Sequence, residues 1–139
     1  MEITNDIKIK IFAQYLGQKV RLDALREKPL VGVNKNSLEF DIGFITLPYD
    51  CKLILKSLNS ISVDDAIGVA KMLNEKQFPE YCDEKEGRRI LEQWLSIRSY
   101  LNAKESIQIY QYLISKGYDM PQYLLGYKTL QESGLAIYE

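Results

Sequence analysis

Apolar and polar residues alternate along the first third of the chain as they do in strands. In KVRLDAL, residues 19–25, Val20, Leu22 and Ala24 point to one side and charged residues to the other, which is typical of a half-buried strand. PLVGV, NKNS and LEFDIGFI follow, and two strands around an asparagine-containing turn predict a hairpin. The residues of its second strand expected to face the core are Leu38, Phe40, Ile42 and Phe44.

Two further segments fit both the helical and the strand period. NDIKIKIFAQYLG, residues 5–17, has helically spaced apolar residues, with Asn5 or Asp6 as the N-cap and Gly17 at the end, although IKIKI alternates like a strand. We interpret it as a short helix. CKLILKSL, residues 51–58, fits a helical stripe or a strand, and we interpret it as an extended segment that leaves the sheet.

SVDDAIGVAKML, residues 62–73, places an acidic pair ahead of a helical apolar pattern. Ser62 and Asp65 have the spacing of a capping box, and negative charge on Asp64 and Asp65 complements the helix dipole. Consecutive helical residues point about 100° apart, so the two carboxylates do not converge on one metal ion or one proton. The pair therefore predicts the start of a helix. Gly68 within it suggests that another backbone passes close.

Two more helices follow in the sequence. Asp83 is the predicted N-cap of the first, and Asn102 with Glu105 begins the second, which Gly117 ends. KTLQES predicts a last helical turn, and GLAIYE a terminal strand. The predicted apolar stripes are Ile90, Leu91, Trp94, Leu95, Arg98 and Leu101 for the first helix, and Ile107, Tyr110, Leu113 and Ile114 for the second.

Together these elements predict a single α+β domain over residues 1–139. A small antiparallel sheet of three or four strands occupies the N-terminal half, and three or four helices from the C-terminal half pack against it. The helices are required because a small sheet has an apolar face that another layer must cover.

Composition and charge narrow the class of function. The net charge of −1 argues against a nucleic-acid partner, since no broad basic field is present. MEITNDIKIK carries charges where a signal peptide needs an apolar run, and no stretch is long enough for a membrane span. Cys51 and Cys82 have no metal-binding spacing and are interpreted as buried free thiols. We therefore expect a cytoplasmic protein that does not contact a membrane.

The absence of histidine limits the available chemistry most strongly. Without an imidazole there is no Ser-His-Asp or Cys-His arrangement and no histidine metal ligand. No phosphate-binding glycine motif is present either. We therefore predict a protein that is not an enzyme, with no catalytic residues, no metal site and no cofactor.

The tyrosine-rich C-terminal loop is the candidate protein-binding surface. Seven of the ten tyrosines lie between residues 100 and 138, and tyrosine is enriched in interface hot spots. The same side chains could instead close the core, and both interpretations stay open. The candidate contact residues are Tyr118, Met120, Tyr123, Leu124 and Tyr127.

Arg88 and Arg89 are the candidate anion-binding residues. With tyrosine side chains to stack on a base, they could hold a small anionic ligand such as a nucleotide. The competing interpretation is that they form exposed i,i+4 pairs, such as Arg88 with Glu84.

Three short segments resemble small uncharacterised proteins encoded by phages and prophages of Bacteroidetes: FAQYLGQKVRLD, KLILKSLNSIS, and YLISKGYD with LLGYKTLQESGLAIYE. Residues 53–61 match the middle segment of that family and residues 130–137 the closing one. The chain departs from the family in having Ser57 where proline is usual and in the insertion MPQYLLGYK.

The resemblance implies a mobile genetic element in a bacterial host cytoplasm and no catalytic motif. The expected function is non-enzymatic binding of a host protein, for example to counter a host defence. The alternatives are a binder of a small anionic nucleotide-like ligand and a nucleic-acid-associated accessory protein.

Overall fold

The computed structural model describes residues 2–47, 50–97 and 100–139, which form an α+β fold as predicted. The predicted stripe residue Arg98 lies outside these ranges. The helices in the described residues are α1 (Asn5–Gln14), α2 (Val63–Asn74), α3 (Glu84–Ser96) and α4 (Ala103–Ser115). The strands there are β1 (Lys19–Arg21), β2 (Glu27–Pro29), β3 (Gly32–Val33), β4 (Ser37–Phe40), β5 (Gly43–Thr46), β6 (Lys52–Leu55) and β7 (Ala136–Tyr138).

The chain divides into two compact units. One, which we call the sheet unit, comprises Met1–Leu58 and Gly117–Glu139 and contains both sheets and α1. The other, the helical unit, is Asn59–Lys116 and contains α2, α3 and α4. A single domain over residues 1–139 stays a prediction, because compactness does not decide whether either unit folds alone. Within the described ranges, no helix has both the length and the apolar character needed to cross a membrane.

The four-stranded sheet of the sheet unit has the order β2-β1-β6-β7. β6 lies inside it, antiparallel to β1 and parallel to β7. The extended conformation of β6 was predicted, but the expectation that this segment leaves the sheet is wrong. Leu53, Ile54 and Leu55 are all buried, as in a strand covered on both faces. The terminal strand β7 is confirmed.

The three-stranded sheet contains the predicted hairpin of β3 and β4. Asn34 forms its turn, since the Asn34 side-chain oxygen accepts hydrogen bonds from the backbone N–H groups of Asn36 and Ser37 at 3.2 and 3.0 Å. LEFDIGFI is not one strand, however, because the chain turns between β4 and β5 at residues 41–42. Ile42 and Phe44, predicted to face the core, are therefore 53% and 64% exposed.

The ends of KVRLDAL and of α1 show two smaller differences. Val20 and Leu22 are buried as predicted, but Ala24 is exposed. The Asp23 carboxylate accepts the backbone N–H groups of residues 25 and 26 and so ends the extended run in a turn. Helix α1 is confirmed, but its N-cap is Thr4 rather than Asn5 or Asp6.

The helical unit begins with the predicted α2. The Ser62 hydroxyl accepts the Asp65 backbone N–H at 3.1 Å, so Ser62 is the N-cap. A backbone does not pass close to Gly68, contrary to the prediction. A side chain added there would meet the Tyr112 hydroxyl, whereas one at Gly87 of α3 would overlap the Ala66 carbonyl group. The close approach of two backbones is thus at Gly87.

The caps of α3 and α4 are also as predicted. The Asp83 carboxylate accepts the Glu86 backbone N–H, and Asn102 and Glu105 form a complete capping box. The stripes are partly different. Ile90 and Leu91 are buried, but Leu95 is 42% exposed, and Leu101, although buried, lies beyond α3, which ends at Ser96. In α4 the buried residues are Ile109, Leu113 and Ile114, whereas Ile107 is exposed.

Candidate functional site

A buried carboxylate at the start of the tyrosine-rich loop connects this loop to other segments of the sheet unit by hydrogen bonds. Asp119 is 1% exposed, and its oxygens accept the backbone N–H groups of Leu130 at 2.8 Å and Gln131 at 3.0 Å. The Tyr138 hydroxyl donates a third bond to Asp119, at 2.9 Å. A buried carboxylate requires such donors, because an unsatisfied charge in the interior is costly. Asp119 thereby ties the loop to the turn at residues 130–134 and to β7.

The same hydrogen bond changes the chemistry of Tyr138. Burial and the hydrogen bond to Asp119, whose charge opposes ionisation of the phenol, raise the pKa of Tyr138 to about 12. Tyr138 therefore stays neutral and a hydrogen-bond donor at physiological pH.

The start of the loop, residues 118–120, belongs to the core. The Tyr15 hydroxyl donates to the Tyr118 carbonyl oxygen at 2.8 Å and accepts the Met120 N–H at 3.2 Å. Tyr118 is 0% and Met120 1% exposed. The Lys56 ammonium lies 4.5 Å from the centre of the Tyr118 ring, within cation–π range. Tyr118 and Met120, predicted as contact residues, are therefore not accessible on the surface.

The later part of the loop presents aromatic side chains to solvent. Tyr123 is 76% and Tyr127 48% exposed, and their rings meet edge-to-face with centroids 5.7 Å apart. Leu124, between them in sequence, is half-buried. We call Tyr123, Leu124 and Tyr127 the tyrosine platform. The structure thus divides the predicted contact set into these three residues and the two core residues.

The backbone under the platform is strained. Tyr127 has a φ of 65°, and among the described residues it is the one non-glycine with a positive φ. For a residue with a side chain this conformation costs about 1–2 kcal/mol. Two bonds hold it in place, from the Tyr127 N–H to the Gln122 carbonyl oxygen at 2.7 Å and from the Gln122 N–H to the Lys128 carbonyl oxygen at 3.0 Å. The surrounding loop therefore imposes the orientation of the Tyr127 ring.

In the helical unit, the predicted anion-binding arginines are both engaged with glutamates. The Arg88 Nε lies 3.0 Å from Glu84 Oε1, the i,i+4 pair expected from the sequence, and Arg88 also donates to the Ile61 carbonyl oxygen at 3.1 Å. Arg89 pairs with Glu86 and donates to the Tyr100 hydroxyl at 3.0 Å. The hydrogen bond from Arg89 lowers the pKa of Glu86. In turn, the hydrogen bond to Glu86 and, to a smaller extent, the one to Tyr100 raise the pKa of Arg89.

Arg89 also lines an open cleft of about 420 Å³. Phe78 and Tyr81 form one side, with ring centroids 6.4 Å apart. Both aromatic side chains are about half exposed. The Asn74 side chain donates to the Tyr81 carbonyl oxygen at 2.9 Å and so joins the end of α2 to this wall. Sequence reasoning missed Phe78, Tyr81 and Asn74, although two aromatic residues around Pro79 in a polar connection were a usable signal.

Among residues 2–47, 50–97 and 100–139, no group of three or more cysteine, aspartate or glutamate side chains is placed to hold a metal ion. Cys51 is buried and Cys82 partly exposed, and both are free thiols. Burial raises the pKa of Cys51, so this thiol is a poor nucleophile.

No family model, no curated protein and no solved structure matches the chain. The resemblance to phage and prophage proteins therefore stays a prediction from the sequence.

Proposed function

We propose that the chain is a non-enzymatic accessory protein that binds a partner protein through the tyrosine platform. The resemblance to phage-encoded proteins supplies the wider setting of the proposal, in which the partner is a bacterial host protein and binding alters a host process such as a defence. The absence of histidine supports a role without catalysis.

The observation that carries the proposal is the exposure of Tyr123 and Tyr127 on a loop whose base is buried and hydrogen-bonded. A group of exposed large side chains on one loop is informative, because such patches mark interaction surfaces. Two that are exposed together on a fixed backbone lose little conformational entropy when a partner covers them.

The chemistry of the platform indicates what kind of partner surface it fits. Each tyrosine offers an apolar ring and a polar hydroxyl, and the half-buried Leu124 adds an aliphatic side chain. Such a surface matches an apolar patch with hydrogen-bonding groups at its rim, the usual anatomy of a protein interface. Nucleic acid is a less suitable partner, because the net charge of the chain is −1 and phosphate binding needs a basic field.

The test uses Tyr123→Ala and Tyr127→Ala, with Tyr81→Ala as the matched control, since Tyr81 is 53% exposed and lies in the helical unit. Wild-type protein first captures its partner from host lysate, and the partner identified by mass spectrometry is then purified and titrated against each variant. We expect both platform variants to keep their stability within about 1 kcal/mol and to bind at least about tenfold more weakly. The control should bind like wild type.

Equal binding by wild type and both stable platform variants would exclude the platform as the contact surface. A loss of stability of about 3 kcal/mol or more in either variant would show that its ring belongs to the core instead.

A second candidate function is binding of a small anionic nucleotide-like ligand in the cleft of the helical unit. The observation that favours it is the lining of one cavity by Arg89, Phe78 and Tyr81, which joins a cation to two aromatic faces. It ranks second because Glu86 already neutralises Arg89, so a phosphate must displace that carboxylate. Calorimetric titration with nucleotides tests it: Tyr81→Ala and Arg89→Gln should abolish the heat, and Tyr123→Ala should not change it.

A further inference from the structure

One edge of the three-stranded sheet is open. Strand β5 pairs with β4 on one side, and no strand in the described part of the chain pairs with its other side. The Leu47 N–H donates to the Asn36 carbonyl oxygen at 2.9 Å, and backbone groups alternate in direction along a strand. The N–H and C=O groups of Ile45 therefore face β4, and those of Phe44 and Thr46 face outward.

Strand β5 is short, and Asp41 and Pro48 flank its segment in the sequence, but residues 42–47 themselves carry neither of the side-chain features, charge and proline, that usually keep an edge strand from pairing. Residues 42–47, IGFITL, contain no charge and no proline. Ile42 and Phe44 are both more than half exposed. Natural edge strands are usually protected by lysine, proline, a bulge or a covering segment. An uncharged, β-branched and aromatic edge is instead typical of a strand that pairs with another chain.

We propose that β5 pairs with β5 of a second copy of this chain, in antiparallel orientation around a two-fold axis at Ile45. Phe44 of one copy then lies opposite Thr46 of the other, and by symmetry Thr46 of the first copy lies opposite Phe44 of the second. Each of these two pairs exchanges two backbone hydrogen bonds. The two three-stranded sheets become one six-stranded sheet. Because the same surface serves both copies, the contact closes as a dimer.

The distribution of charge favours a second copy as the occupant. In antiparallel self-pairing, a charge close to the two-fold axis comes near its own copy, which is destabilising, and residues 42–47 carry no charge. Within the three strands of this sheet, the acidic side chain is Glu39 of β4, in register with Phe44. Across the proposed seam the two copies of Glu39 lie three strand spacings apart, roughly 14 Å, beyond the Debye length of about 8 Å at physiological salt.

The small length of the edge also predicts the strength of the contact. Only two residues of each copy contribute outward backbone groups, so the strand contact is smaller than the interface of a stable complex. We therefore expect a dimer that forms and dissociates with protein concentration. This interaction does not depend on the proposed function, because the tyrosine platform contains none of residues 42–47.

Two measurements on the full-length wild-type chain test the proposal. Sedimentation velocity from micromolar to millimolar concentration should show a shift from monomer to dimer. Amide hydrogen exchange over the same range should show that the N–H groups of Phe44 and Thr46 become protected as the concentration rises. The N–H of Ile45, already bonded within the sheet, should be protected at every concentration.

Phe44→Lys and its control Ile107→Lys make the test specific. Both replace an exposed apolar side chain by the same charge, but Ile107 lies on α4 in the helical unit. Phe44→Lys should weaken dimerisation at least about tenfold, because it places two like charges across the seam. Ile107→Lys should dimerise like wild type.

A chain that stays monomeric up to millimolar concentration would overturn the proposal. If the Phe44 and Thr46 amides of that monomer became protected from exchange only when another protein was added, the edge would have a different occupant. A dimer in which the Phe44 and Thr46 amides exchange at the monomer rate would also overturn it. In that case the copies associate through another surface. The exchange measurement needs no variant, so it decides the matter even if Phe44→Lys is poorly folded.

Discussion

The sheet unit and the helical unit rely on different features for their internal order. In the sheet unit, buried polar groups with several partners connect distant segments: Tyr15 bonds to residues 118 and 120, and Asp119 to residues 130, 131 and 138. In the helical unit, the capping charges lie at the helix starts, among them the buried Asp65, which accepts the Tyr112 hydroxyl at 3.4 Å, and Gly87 lets two backbones come together. The first unit should be sensitive to loss of a polar group, and the second to added volume.

This difference bears on where binding surfaces can form. The tyrosine platform is exposed, but the bonds of Asp119 and Gln122 hold the loop beneath it. An interface built on such a base loses little entropy on binding. In the cleft of the helical unit, by contrast, the charged pair Glu86 and Arg89 lies at the surface, and the Asn74 side chain bonds to the Tyr81 carbonyl oxygen.

Replacing Asp119 by alanine should have the largest effect on stability. The change leaves two buried backbone N–H groups and the Tyr138 hydroxyl without their acceptor, which should lower the free energy of unfolding by about 4 kcal/mol. Urea denaturation measures it, with Asp64→Ala as a carboxylate control in the helical unit. Similar small losses for both variants would show that Asp119 does not organise the sheet unit.

Gly87→Ala should have the next largest effect, because its methyl group would overlap the Ala66 carbonyl and force α2 and α3 apart. We expect a loss of about 3 kcal/mol. Gly68→Ala is the matched variant. Its methyl group meets the end of the Tyr112 side chain, which can move, and alanine is favoured over glycine in a helix by about 1 kcal/mol. Equal losses for the two glycines would contradict this assignment.

Tyr138→Phe should cost about 1.5 kcal/mol at neutral pH, since it removes a hydrogen bond to a charged group. The pKa of Tyr138 is raised from 10.0 to about 12, so its contribution is fully present below pH 10 and is lost as the pH rises through about 12. Denaturation at stepped pH should show the gap between wild type and Tyr138→Phe shrinking over this window. A gap that stays constant from pH 10 to 12 would mean that Tyr138 ionises normally.

The paired change of Asp64 and Asp65 to asparagine should have the smallest effect, about 1 kcal/mol, through loss of helix-dipole stabilisation at the start of α2. Asp65 is buried and accepts the Tyr112 hydroxyl, but an asparagine side-chain oxygen can still accept that bond. It should leave partner binding intact. The contrast with Asp119 separates a carboxylate that adjusts a helix end from one that organises a core. A selective loss of binding at unchanged melting temperature would instead make the pair functional.

The sequence by itself determined the local elements. Ser62, Asp83 and Asn102 were recognisable as caps because each bonds to a backbone N–H three residues on. The asparagine turn of the β3–β4 hairpin and the terminal strand β7 were predicted for the same reason, namely that their signals lie within a few neighbouring residues.

Only the tertiary structure decided which apolar residues are buried. Tyr118 and Tyr123 are equivalent in sequence terms, yet one is completely buried and the other 76% exposed. Phe44 was predicted to face the core but is exposed, and the close backbone approach at Gly87 was not predicted. Burial and close approach depend on which distant segments meet, and a local pattern carries no information about the partner that covers it. The tyrosine platform, the open edge of β5 and the contact at Gly87 therefore became visible only once the chain was folded.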